Sequence, residues 1–106
     1  MTPKAGDLVF IDTNILLTAT DSSHRNHRPA KAVFPKALNK GVHLCACGQI
    51  IREYLEIATR DISQNGRGMS PGHALSNIEQ FKARMMMLEE IEDVEEYLIR
   101  LVKPHQ

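Results

Sequence analysis

The sequence has no tryptophan, and only two tyrosines, three phenylalanines and two cysteines in 106 residues. With so few rings, base-stacking platforms cannot dominate a nucleic-acid contact. Two cysteines behind a polar start, Met1-Thr2-Pro3-Lys4, with no signal-peptide pattern, give no disulfide framework. No apolar run approaches the roughly 20 residues that span a bilayer. The expectation is a cytoplasmic protein with no membrane partner. An excess of one charge is also missing, because 13 Lys+Arg balance 13 Asp+Glu. That removes a large positive field as a simple basis for binding nucleic acid, while leaving a local basic patch open. The sequence carries no GxxxxGK, no nucleophile elbow and no HExxH, and neither an internal repeat nor a low-complexity segment.

What is present suits a small globular fold. The chain is 42% hydrophobic and 25% charged, which is ordinary usage. Its length fits a single domain over residues 1–106, able to bury roughly two-thirds of its unfolded surface.

The apolar run Leu8-Val9-Phe10-Ile11 predicts a buried strand. Asp12-Thr13-Asn14 follows, a good helix-capping sequence, and Ile15, Leu16, Leu17 and Ala19 predict a short helix. After a polar stretch from Asp21 to Arg28, Pro29 suits the first position of a second helix. Ala30, Val33, Phe34, Ala37 and Leu38 mark its apolar side, Pro35 threatens to kink or shorten it, and Gly41 should stop it. Val42 to Cys47 predicts a second strand. Ile50, Ile51, Tyr54, Leu55 and Ala58 predict a third helix, ending near Arg60-Asp61. Gln64 to Gly68 is loop by composition.

Ser70-Pro71 should start a long helix whose stripe is Leu75, Ile78, Phe81, Met85 and Leu88. In that reading Met85-Met86-Met87 fills core. Asp93 and Glu96 form a capping-box variant ahead of a last helix over Val94, Tyr97, Leu98, Leu101 and Val102. Strands separated by helices imply a parallel α/β sheet. Two parallel strands do not make a stable sheet by themselves, so the fold read in this way is unfinished.

Asp12 is the foremost site candidate. Ligands of open parallel sheets bind at the carboxyl ends of strands, and a carboxylate just past the first strand points there. Thr13 and Asn14 can support it by hydrogen bonds to the backbone. Helix capping is the competing role for Asp12 or Thr13.

Glu53, one turn past the second strand, is the other candidate. It has no basic residue four positions away, whereas Arg52–Glu56 and Glu56–Arg60 carry ion-pair spacing. Two carboxylates converging on one cleft would take a hard cation such as Mg²⁺. That ion would activate water and stabilise charge on a phosphate. The cluster His24-Arg25-Asn26-His27-Arg28 offers Arg25 and Arg28 as phosphate contacts, with a solvated loop as the plainer role. Cys45-Ala46-Cys47 lacks zinc-pair spacing and is expected to be core.

Phe10-Ile11-Asp12-Thr13-Asn14-Ile15-Leu16-Leu17, Asp21, the His24–Pro29 loop, and Gln49-Ile50-Ile51-Arg52-Glu53-Tyr54 through Thr59-Arg60 together resemble the PIN-domain family. Within it, the VapC-like toxins of bacterial and archaeal toxin–antitoxin pairs look nearest. The resemblance implies an α/β/α sandwich with a parallel sheet and Mg²⁺- or Mn²⁺-dependent cleavage of RNA, with an antitoxin protein as a partner. Asp12 matches the family's first acid, Glu53 its second, and Asn14 the polar residue supporting the first. Asp21 occupies a position often acidic in such sequences.

The family's third acid, and its frequent fourth, have no counterpart before Gln106. The chain therefore looks like the first three-quarters of a PIN domain, C-terminally incomplete. Two functions compete: a metal-dependent endoribonuclease of the toxin type, and a catalytically incomplete PIN-like module for binding or dimerisation. An open sheet edge and an uncovered apolar face also lead us to expect a homo-oligomer.

Overall fold

The computed structural model describes residues 3–88. The expected last helix over 94–102, and the capping box of Asp93 and Glu96, lie outside the described residues. Along the chain run β1 (Leu8–Phe10), α1 (Thr13–Ala19), α2 (His27–Lys40), β2 (His43–Cys47), α3 (Gly48–Thr59), α4 (Pro71–Arg84) and β3 (Met86–Leu88). A short 3-10 turn, Ile62–Gln64, lies between α3 and α4. The strands are parallel in the order β1-β2-β3, so the described residues form a small α/β domain, a three-stranded sheet flanked by four helices.

β2 is the central strand, and Leu44, Cys45 and Ala46 are all buried. This accounts for its nearly unbroken apolar sequence. Val9, Leu44, Ala46 and Met87 join the main core, with Leu16, Leu17, Phe34, Tyr54 and Phe81 from the helices. Phe81 stacks at 6.0 Å from Phe34 and meets Tyr54 edge-on at 5.1 Å. These rings tie α2, α3 and α4 together.

Several boundary signals behave as the sequence suggests. Gly41 closes α2 at φ 71, in the left-handed region. There Val42 N–H reaches Ala37 O at 2.9 Å, the bond pattern of a glycine-terminated helix. Ser70 caps α4 by accepting from His73 N–H at 3.2 Å, and Pro71 holds the first helical position.

Four expectations need correction. The sheet has a third strand: Met86–Leu88 pairs with Cys45–Cys47 instead of prolonging α4. Of the three methionines only Met85 is buried, and Met86 is 45% exposed. Leu75, expected on the buried stripe of α4, is 52% exposed, and Ala74 takes its place. Finally, α2 begins at His27, two residues ahead of Pro29. Proline is tolerated there because the first four N–H groups of a helix have no partner within it. His27 Nδ1 donates to Thr18 O at 3.0 Å, which anchors the early start. Pro35 is exposed and the helix runs past it to Lys40.

No helix of the described residues is long and apolar enough to cross a membrane.

Candidate functional site

β1 ends at Phe10, and Ile11 N–H still reaches Cys45 O at 2.9 Å. The chain is therefore pinned to the sheet until one residue before Asp12. Asp12 then takes an extended backbone (φ −75, ψ 150) at the N-cap position of α1, but its side chain makes no capping bond. The carboxylate is exposed and uncommitted to the helix, so capping does not account for it.

The next residue, Thr13, is only 5% exposed. Its hydroxyl donates to Glu53 Oε2 at 3.0 Å, across 40 residues of sequence. The other oxygen of Glu53 accepts from Gln49 Nε2 at 3.2 Å, one turn earlier on α3. Each oxygen of Glu53 thus holds one neutral donor, and the side chain is fixed beside the residue that follows Asp12. α1 and α3 start where β1 and β2 end, so the acids sit at the carboxyl end of the sheet, where parallel sheets place ligands.

The other expected site residues are not drawn in. Asn14 is exposed on the first turn of α1, with no bond to Asp12 or Glu53. Arg25 precedes α2 and Arg28 lies in its first turn; both are exposed and touch neither acid. Among the described residues, no group of three His, Cys, Asp or Glu side chains is gathered as a metal site. The donors at hand are all oxygen, the type a hard cation such as Mg²⁺ or Mn²⁺ takes.

Sequence reasoning missed the supports. Gln49 lies four residues before Glu53, the spacing of facing helical side chains, and that spacing could have revealed it. Tyr54 is fully buried and its hydroxyl is shared by Thr20 Oγ1 at 2.8 Å and Asn77 Nδ2 at 3.1 Å. This network ties the end of α1 to α3 and α4 at the residue that follows Glu53. The Glu56–Arg60 ion pair forms at 2.7 Å on the outer side of α3, as its spacing suggests. Burial pushes the Cys45 thiol up, which suits a packed side chain.

Asp21 has a structural occupation. Its Oδ1 accepts from Ser23 Oγ at 2.6 Å and from Ser23 N–H at 3.1 Å, while Oδ2 lies 3.4 Å from Arg67 Nε. Arg67 Nε is buried without an aligned hydrogen bond, so this pair is a charge contact only. The Ser23 hydroxyl is the largest cause holding the Asp21 carboxyl below its ordinary value of 3.8; partial burial opposes it, and the Ser23 amide, Arg67 and His24 assist. A carboxyl lowered on folding stabilises the fold above its unfolded value, and that contribution disappears as pH falls through the folded value. Asp21→Asn should therefore cost a small amount, under about 1 kcal/mol, near neutral pH. Urea titrations should show the wild type and the variant converging below pH 4.

Compared with known proteins, the sequence matches no family model and no curated relative.

Proposed function

We propose that the chain is a PIN-like module that holds one divalent cation through Asp12 and Glu53, and that with these two acids alone it is incomplete as a nuclease. The carrying observation is the Thr13–Glu53 bond, which fixes the second acid beside the residue adjoining the first. Incompleteness rests on the absence of a third metal-ligating side chain at this point among the described residues. Asp12 and Glu53 would hold the ion, Mg²⁺ or Mn²⁺. When bound, it supplies positive charge to a phosphate oxygen or acidifies a water. Thr13 and Gln49 orient Glu53, and the Asp12 carboxylate is left free of any capping bond to α1.

Endoribonuclease activity is the second reading, favoured by the same strand-end placement of two acids. RNA as substrate and an antitoxin protein as partner belong to it. One pair of experiments separates the two readings. Mn²⁺ binding is followed by calorimetry, and cleavage of a generic RNA is followed at saturating Mg²⁺ and Mn²⁺. The module reading expects binding that is abolished in Asp12→Asn and Glu53→Gln, and no cleavage. In Thr13→Val, which keeps the shape and loses the hydroxyl, affinity should fall about tenfold, the usual effect of losing a ligand's supporting bond. Metal-dependent cleavage that disappears in Asp12→Asn would establish the nuclease instead. Metal binding unaffected by either acid variant would remove both readings.

A further inference from the structure

The end of α1 and the facing sides of α2 and α4 enclose a recess of about 200 Å³, in which Lys31, Asn77, Gln80 and Arg84 join Phe34 and Phe81. Asn77, Gln80, Phe81 and Arg84 fall at i, i+3, i+4 and i+7 of α4, so one face of that helix supplies them. Lys31 comes from α2, which carries no acid. Phe34 and Phe81, buried and stacked on each other, give the recess its apolar part. The Arg84 guanidinium is held 4.4 Å over the Phe34 ring, and its Nε donates to Gln80 O at 3.2 Å. The cation is thereby preorganised. Neither Lys31 nor Arg84 has a carboxylate within ion-pair distance among the described residues. Asp21, which follows Thr20, is engaged by Ser23 and Arg67, and Glu79, the acid of α4, does not line the recess. Two cations thus share one small cleft without a counter-charge, and a cleft lined by one sign of charge concentrates the opposite ion.

We infer that this recess binds a small hydroxylated phosphate monoester. Two full cations match the dianion that a monoester becomes above a second pKa of about 6, whereas each phosphate of a diester chain carries a single charge. Arg84 would present its planar fork to two phosphate oxygens, and Lys31 a point charge. The side-chain amide of Gln80 has no partner among the described residues and adds a donor. Asn77 is placed differently. Its amide nitrogen already donates to Tyr54 Oη at 3.1 Å and to Met69 Sδ at 3.5 Å, so its carbonyl oxygen is what it can offer, and that takes a hydroxyl of the ligand. At about 30 Å³ per water, the recess has room for roughly six or seven waters. That suits a phosphate with a few attached atoms, and is below the volume of pockets for larger ligands. The inference does not rest on the metal reading, because the recess lies at the end of α1 away from Asp12.

The test is calorimetry on the full chain with four probes: glycerol 3-phosphate, glycerol, inorganic phosphate, and an RNA oligonucleotide without a terminal phosphate. Glycerol 3-phosphate should bind with a Kd below about 1 mM. It should bind more tightly than inorganic phosphate, glycerol should not bind, and the affinity should fall with salt. Lys31→Gln and Arg84→Gln should each weaken the monoester about tenfold or more, the usual effect of losing a charged hydrogen-bonding partner. Arg84→Lys keeps the charge without the fork and should recover only part of the loss. Lys31 and Arg84 are exposed, so Lys31→Gln should melt as the wild type does, and its binding of Mn²⁺ should be unchanged. No binding of either phosphate at millimolar concentration overturns the proposal, and so does binding that survives both glutamine variants. Displacement of glycerol 3-phosphate by the oligonucleotide at equal phosphate concentration also overturns it, and would assign the recess to a phosphodiester chain.

Discussion

Gly66→Ala is expected to unfold much of the protein near physiological temperature. After α3 the chain turns back through Ile62–Gln64 and lays its glycine-containing loop along the end of that helix. Arg67 N–H bonds Ile57 O at 3.0 Å, Gly68 N–H bonds Arg60 O at 2.8 Å, and Met69 N–H bonds Ala58 O at 2.8 Å. The final carbonyls of a helix lack partners within it, and this loop supplies them. Gly66 is buried at the point of closest approach, where an added Cβ would overlap the carbonyl group of Arg60. The obstacle is backbone, so no side chain can rotate away. The loop must lift and forfeit bonds in the process. The cost should be about 3 kcal/mol, or a fall in Tm of roughly 12–24 °C for a domain of this size. Gly72 is the control: it lies in the first turn of α4 with open space around it. Gly72→Ala should leave Tm unchanged or raise it slightly. Equal melting of the two variants would show that the loop does not seal α3.

Phe81→Ala should be comparably damaging. Phe81 is 2% exposed and is gripped from two sides, by Phe34 in parallel and by Tyr54 edge-on. Emptying that position removes the ring common to α2, α3 and α4. Substitutions of this kind cost about 3–5 kcal/mol. Damage should extend to the site. Tyr54 follows Glu53 directly, and its hydroxyl depends on Thr20 and Asn77 for its place. The variant is therefore expected to lose affinity for Mn²⁺ as well as stability in urea. Phe81→Leu keeps most of the volume and should recover the larger part of both. A loss below about 1.5 kcal/mol in Phe81→Ala would mean that the three helices are held by other contacts.

The elements that could be read directly were those with a local cause. Leu8 to Phe10 forms a strand as its residues suggest, but at the edge of the described sheet it is only half-buried, and of the apolar run Ile11 alone is buried. Gly41 stops α2 because a left-handed residue was needed there, and Ser70-Pro71 starts α4 with its own cap. β3 had no such cause. Met85-Met86-Met87-Leu88 are residues of good helix propensity continuing a helical spacing. Met86 to Leu88 form a strand because the edge of β2 offers a hydrogen-bonding partner, which lies about 40 positions upstream and leaves no local mark. Such tertiary override is the usual way a propensity reading fails.

The site divides in the same manner. Asp12 was recognisable from its place after a strand, and Glu53 from the helix pairing it lacked. Thr13 was read as support for Asp12 through backbone bonds, whereas its hydroxyl goes to Glu53. That assignment needs two helices in three dimensions. Gln49 was visible as part of the motif, without its role. The recess between α1, α2 and α4 escaped notice because Lys31 and Arg84, which share it, lie far apart in the sequence.

The strand order bears on how the protein is made. Each described strand lies beside the one that precedes it in the chain, so among the described residues no early strand waits for a late one to be inserted between two others. Domains emerge from the ribosome amino-terminus first, at about 5–20 residues per second, and neighbours in sequence meet sooner than distant segments. The nascent polypeptide can complete β1 with β2, and then β2 with β3, in the order of translation, without undoing a pairing already made.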